Sequence, residues 1–205
     1  MRNFFEDVTR VWPAGRRDLH WHILPTADES EALLNAYPEA AFSRPGLCRV
    51  SARWLHCTLL HALDVSTSSV NVDALTDDAR VAIASASIAP FMLTFDRPAI
   101  GAAAVEISGW PGRPFTELVT ILTKITQAHA PFRPAVSRYP HMSIAYTGAG
   151  ADSVQAVDLR EALAHIDGPL VHTVYASRVH LVEQWHDNAT ITWRPIAFLP
   201  LDGTA

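Results

Sequence analysis

The stretch Arg53-Trp54-Leu55-His56-Cys57-Thr58-Leu59 has a counterpart 85 residues further on, Arg138-Tyr139-Pro140-His141-Met142-Ser143-Ile144. Each contains a histidine, any residue, a hydroxyl residue and then a hydrophobic residue. Each falls in an apolar run, residues 54–63 and 142–147, that reads as a short buried strand. Residues i and i+2 of a strand share a face. His56 and Thr58 therefore project together, as do His141 and Ser143. Cys57, Leu59, Met142 and Ile144 take the other face and can pack under helices. One such motif on a strand is usually a structural detail. Two at corresponding places in the chain point to a cleft where two imidazoles and two hydroxyls converge.

The flanking sequence repeats the same plan. Before the first motif come a polar lead-in (1–17) with room for one helical turn and a strand at 19–24 ending at Pro25. A helix over 29–41 follows, capped by Asp28 or Ser30, then a loop at 43–50. After the motif come a helix at 70–85, capped by Asn71 or Asp73, and strands at 91–97 and 103–108 around a turn at 98–101. The second half offers a helix at 115–130, an Arg- and Pro-bearing loop at 131–140, the second motif strand, and a helix at 153–165. Strands at 171–183 and 190–199 follow, joined by a polar turn at 186–188. No Gly-, Ser- or charge-rich linker divides the chain. The expectation is one α+β domain over 18–199: two pseudo-symmetric lobes with largely antiparallel sheets flanked by helices and a cleft between them. Residues 200–205 form a tail.

Composition narrows the function classes. The 205 residues are 49% hydrophobic and 18% charged, enough for a sizeable core and against disorder. No uninterrupted apolar run approaches a membrane span, and the N-terminus lacks a signal peptide's apolar stretch. The two cysteines, Cys48 and Cys57, form no CxxC pair, so a cytoplasmic, reducing setting fits best. The net charge of −5 argues against coating long duplex nucleic acid. The basic set is fifteen Arg and one Lys, and a few arginines can still grip a small anion.

The two motifs suit metal-free phosphodiester chemistry. In-line displacement at phosphorus needs a base on the attacking oxygen and an acid on the departing one. Two histidines can hold opposite protonation states near neutral pH. The hydroxyls can donate to the non-bridging oxygens, where charge must be stabilised. A zinc site from His20-Trp21-His22 or His56 with His61 has little support. The chain has no HExxH and no cysteine cluster, and His56 and His61 at odd spacing face opposite ways on a regular strand. No metal or cofactor is expected. There is no Walker loop or dinucleotide fingerprint, and Lys124, mid-helix, lacks the context of a nucleotidyl-transfer nucleophile.

The paired motifs, the first strand Leu19-His20-Trp21-His22-Ile23-Leu24-Pro25 and the run from Arg138 to Tyr146 together resemble the 2H phosphoesterase superfamily. That superfamily includes bacterial 2′-5′ RNA ligases and cyclic phosphodiesterases. The resemblance spans about residues 19–199 and implies two α+β lobes around a cleft. It implies that His56 and His141 are the acid–base pair and that Thr58 and Ser143 bind phosphate. A 2′,3′-cyclic phosphate would be opened to a 2′-phosphate, with His141 activating water and His56 protonating the leaving oxygen, or the reverse. Five residues past each motif histidine, RNA-ligase relatives often carry Phe and then Arg, where this chain has His61 and Tyr146. That bears on the substrate more than on the reaction.

Further substrate contacts are expected from Arg138, Tyr146, His22 and Trp54. Arg138 or Arg133 would grip a terminal phosphate, and Tyr146 or Trp54 would stack on a base, with core packing the competing reading for both. His20 or His22 would border the cleft, with Trp21 in the core. Trp110 is a loop stacking candidate, Thr147 a further cleft residue, and His61 a back-face histidine. The expected partner is a small nucleotide or an RNA terminus. The competing functions are a 2′-5′ phosphodiester hydrolase with ligation as a side activity, and a non-catalytic nucleotide or RNA-end binding module.

Overall fold

The structure is a computed structural model that describes residues 1–203; residues 204–205 of the expected tail lie outside the described residues. A short helix, α1 (Phe4–Thr9), capped by the Asn3 side chain, opens the chain. Then come β1 (Asp18–Ile23), α2 (Ala27–Asn35), α3 (Glu39–Phe42), β2 (Leu47–Arg49), β3 (Cys57–Ala62), α4 (Val72–Ser85), β4 (Phe91–Ile100) and β5 (Ala104–Trp110). They are followed by α5 (Gly112–His129), β6 (Ala135–Val136), β7 (His141–Thr147), α6 (Ala156–Ala164), β8 (His172–Ala176), β9 (Arg178–His186) and β10 (Ile191–Pro200).

All strand pairings are antiparallel, in the order β10-β9-β1-β3-β7-β5-β4-β8, with β2 on β7 and β6 on β3. The expected α+β architecture of two antiparallel halves is therefore present. The halves of the sheet are not the halves of the chain. One contains β1 and β3 with β9 and β10, and the other β4 and β5 with β7 and β8. They meet at one residue pair between β3 and β7, Cys57 opposite Met142, both fully buried in the middle of the two motifs.

Helices cover the face away from the motif side chains. On α5, Phe115, Leu118, Val119, Leu122 and Thr126 recur at helical spacing and are buried. Trp21 on β1 reaches this layer, and its indole N–H donates to Thr126 Oγ1 at 3.0 Å. Trp21 is thus core, as expected, and β1 is buried along its whole length because both its faces are covered.

Several boundaries differ from the sequence reading for local reasons. The helix expected over 29–41 starts at Thr26, whose hydroxyl accepts from Glu29 N–H while the Glu29 carboxylate accepts from Thr26 N–H. It stops at Asn35 because a residue before proline, here Tyr37 before Pro38, is driven out of helical geometry. The loop at 43–50 contains β2. The strand expected over 171–183 is two strands broken at Ser177, where the chain crosses from β4 to β1. The alternation of apolar residues runs through the break, so pattern alone does not reveal it. The turn expected at 98–101 lies later, since Pro98 is within β4 and pairs with Ile107.

Candidate active site

The two motifs are built alike, down to one irregularity. On β3, His22 pairs with Thr58 and Trp21 with Leu60, which leaves Leu59 as an extra residue, a β-bulge. On β7, Ser143 pairs with Glu106 and Ala145 with Val105, which leaves Ile144 as the extra residue. Each bulge falls three residues after the motif histidine, and each bulged side chain is buried. A bulge reverses the in–out alternation beyond it. His61 is therefore turned onto the face of His56 and Thr58, and Tyr146 onto the face of His141 and Ser143. The expectation that His61 faces away fails for this reason. Thr147 is carried off the cleft face for the same reason.

Antiparallel register around the Cys57–Met142 pair sets Thr58 beside His141 and His56 beside Ser143. His56, Thr58, His61, His141, Ser143 and Tyr146 all line one cavity of about 300 Å³. Both motif histidines are oriented in the same way. His56 Nδ1 donates to the Trp54 carbonyl at 2.7 Å, and His141 Nδ1 donates to the Tyr139 carbonyl at 3.1 Å. A carbonyl only accepts, so each ring carries its proton on Nδ1 and has Nε2 free when neutral.

Their surroundings differ. His56 is 8% exposed, and burial holds its pKa down at about 4. His141 is only half-buried. Behind His56 lies a histidine cluster. The His22 ring is 4.6 Å from His56, and His22 Nε2 donates to Gln184 Oε1 at 2.7 Å. His61 and His20 share a hydrogen bond between their Nδ1 atoms at 3.1 Å. Burial holds His61 at about 4 and pushes His20 and His22 well below the usual imidazole range. The cluster is thus neutral at pH 7. Among the described residues, no group of three or more His, Cys, Asp or Glu is arranged to hold a metal ion. The opposite-face argument against His56 with His61 does not hold, since the bulge puts both on one face.

The remaining candidates divide. Tyr146 lines the cavity, with Phe4 stacked 4.5 Å from its ring, and burial raises its phenol to about 12. His22 is fully buried and outside the cavity lining, packed against the His56 ring. Trp54 lies in a single 3-10 turn (Ala52–Trp54), not on the strand, and its ring packs edge-on against Trp193 at 5.5 Å. It serves the site through its carbonyl. Arg138 and Arg133 are exposed on the loop entering β7, outside the cavity lining. Trp110 ends β5 and bonds Asp96 at 3.1 Å, also outside it.

Sequence reasoning missed one wall. Phe4, Val8, Val11 and Trp12 of the lead-in line the cavity. The spacing of Phe4, Val8, Val11 and Trp12 is that of a helical apolar stripe, which was the available signal. Trp12 is buried against His20 and His186, at 5.2 and 4.9 Å between ring centroids. Thr147, displaced from the cleft, anchors the segment: its hydroxyl accepts from Phe4 N–H at 3.1 Å and lies 2.5 Å from the Arg2 carbonyl. Gln184 and Glu106 are further lining residues that carried no motif.

The fold is shared with solved structures. Escherichia coli LigT complexed with 3′-AMP superposes at a TM-score of 0.65 with 17% identity, over 90% of this chain and 98% of that one. The chain has the 2H phosphoesterase fold. TT0787 of Thermus thermophilus shares it at a TM-score of 0.64, with 15% identity over 91% and 98% of the two chains. Kluyveromyces marxianus Usb1 with uridine monophosphate shares it at 0.51, with 10% identity over 87% and 99%. No protein-family model matches the chain, and no curated protein matches it in sequence. In this fold the two motifs stand at the junction of the sheet halves, as the paired sequence motifs implied. No helix among the described residues is long and apolar enough to cross a membrane.

Proposed function

We propose that this protein is a metal-independent phosphodiesterase that opens a 2′,3′-cyclic phosphate on a nucleotide or RNA end to a 2′-phosphate. One observation carries the reading: two equally tethered imidazoles, each with a hydroxyl two residues on, line one cavity from adjacent strands. The shared fold supports it, since LigT and Usb1 have been seen with 3′-AMP and uridine monophosphate.

In this mechanism the phosphate lies between His56 and His141, its non-bridging oxygens accepting from Thr58 and Ser143. His56 Nε2 removes a proton from water as the water oxygen bonds to phosphorus. The P–O3′ bond breaks on the opposite side, and protonated His141 gives its proton to O3′. The products are a 2′-phosphate and a free 3′-hydroxyl, and both histidines have exchanged protonation state. The base is assigned to His56 because burial keeps it neutral, which leaves the acid to His141, the less buried partner across the phosphate. The motifs, nearly symmetric in sequence, do not distinguish these roles.

The test is turnover of the four nucleoside 2′,3′-cyclic phosphates in EDTA, with product regiochemistry read by phosphorus NMR. A 2′-phosphate formed by the wild type and lost in His141→Ala is expected. No turnover of cyclic phosphates, with turnover of 2′-5′ dinucleotides, would move the assignment to the 2′-5′ hydrolase. Binding without turnover of either would leave a nucleotide-binding module.

A further inference from the structure

The cavity lining contains a polar set and an apolar set of residues. His56, Thr58, His141 and Ser143, brought together by the Cys57–Met142 pairing, belong to the polar set. Phe4, Val8, Val11, Trp12, Leu63 and Ile191 form the other, and four of these six come from the N-terminal segment. Among the described residues no Lys or Arg lines the cavity, and its one carboxylate is Glu106, placed opposite Ser143 by strand register. A second phosphate on the ligand would meet that carboxylate and an apolar wall, with no cation to offset its charge.

Taking the phosphodiesterase reading as given, we propose that the site selects a singly charged phosphodiester whose nucleoside is otherwise unphosphorylated. The uncharged base is seated against the N-terminal wall, and Glu106 excludes ligands with an additional terminal phosphate. The wall is a fixed part of the site. Asn3 caps α1, Thr147 ties Phe4, and the His186 ring bonds the Trp12 carbonyl at 2.7 Å. Phe4, only partly buried, offers aromatic surface of the kind on which bases stack, Trp12 backs it from the core, and the valines offer aliphatic contact. Like charges brought together in such a site oppose binding, and at least about tenfold discrimination is expected.

The experiment compares kcat/KM for a nucleoside 2′,3′-cyclic phosphate with that for its 5′-phosphorylated form, in the wild type, Glu106→Gln and Val11→Lys. Val11 is 58% exposed, so the lysine can be accommodated without disturbing the core. The expected result is at least about tenfold preference for the unphosphorylated substrate in the wild type, narrowed severalfold by either substitution. Equal kcat/KM for the two substrates, or a ratio that neither substitution moves, overturns the proposal. If the wild type turns over neither substrate, the hydrolytic reading fails by itself. Selectivity is then read by calorimetry with a nucleoside 2′-phosphate against the 2′,5′-bisphosphate. Tighter binding of the monophosphate supports the proposal. Equal binding, tighter binding of the bisphosphate, or binding of neither overturns it.

Discussion

His56 and His141 are held by the same bond, each Nδ1–H donating to the carbonyl oxygen two residues upstream, that of Trp54 at 2.7 Å and that of Tyr139 at 3.1 Å. The bond fixes the tautomer and turns a freely rotating ring into an aimed one. Two rings so held on adjacent strands are suited to passing protons across a small substrate.

The first prediction concerns that pair. His56→Ala and His141→Ala should each lower kcat by about 10²–10⁴-fold, the usual contribution of a positioned acid or base. The double variant should lose little more than either single, because the two act in one step. Single-turnover kinetics beside circular dichroism of the folded variants makes the comparison. A double variant whose losses multiply would argue that the histidines act independently.

The hydroxyls should matter through the transition state. Thr58→Ala and Ser143→Ala are expected to lower kcat about 10²–10³-fold, as loss of a preorganised donor does. KM should change much less. Ser143→Thr keeps the donor and should retain most activity. An effect confined to KM would show that the hydroxyls only hold the ground state.

Stability should depend on pH through the histidine cluster. In the unfolded chain these rings titrate near 6.5, whereas in the fold His56 and His61 stay neutral down to about 4, and His20 and His22 are also lowered. Between those values the unfolded state binds more protons, so stability is present above pH 6.5 and is lost as pH falls toward 4. Each histidine contributes a slope of about 1.4 kcal/mol per pH unit. Urea midpoints measured from pH 8 to 4.5 should be level at first and then fall. His61→Phe should fall less steeply, and identical curves would remove His61 from the account.

The core prediction rests on Trp21. Trp21→Phe removes the partner of a fully buried hydroxyl, Thr126 Oγ1, and should cost about 1–3 kcal/mol. Trp21→Ala adds a cavity and should cost about 3–5 kcal/mol. Urea denaturation measures both, and a Trp21→Phe variant as stable as the wild type would mean that the hydrogen bond contributes nothing.

Local pattern was enough to say which motif residues meet. His56, Thr58, His141 and Ser143 were legible because a two-residue period gives them one face, and their duplication made a chance occurrence implausible. Trp21 as core and the order of most helices and strands were legible for the same reason: local periodicity is set by backbone geometry. The rest came from contacts between distant parts of the chain. The bulges at Leu59 and Ile144 depend on register with β1 and β5, partners that no local pattern names. One extra residue there reverses the positions of His61, Tyr146 and Thr147. The lead-in became a wall of the site through contacts with Thr147 and His186, more than 140 residues away. Burial, which makes His56 neutral and is less complete at His141, is likewise a property of packing and not of either motif.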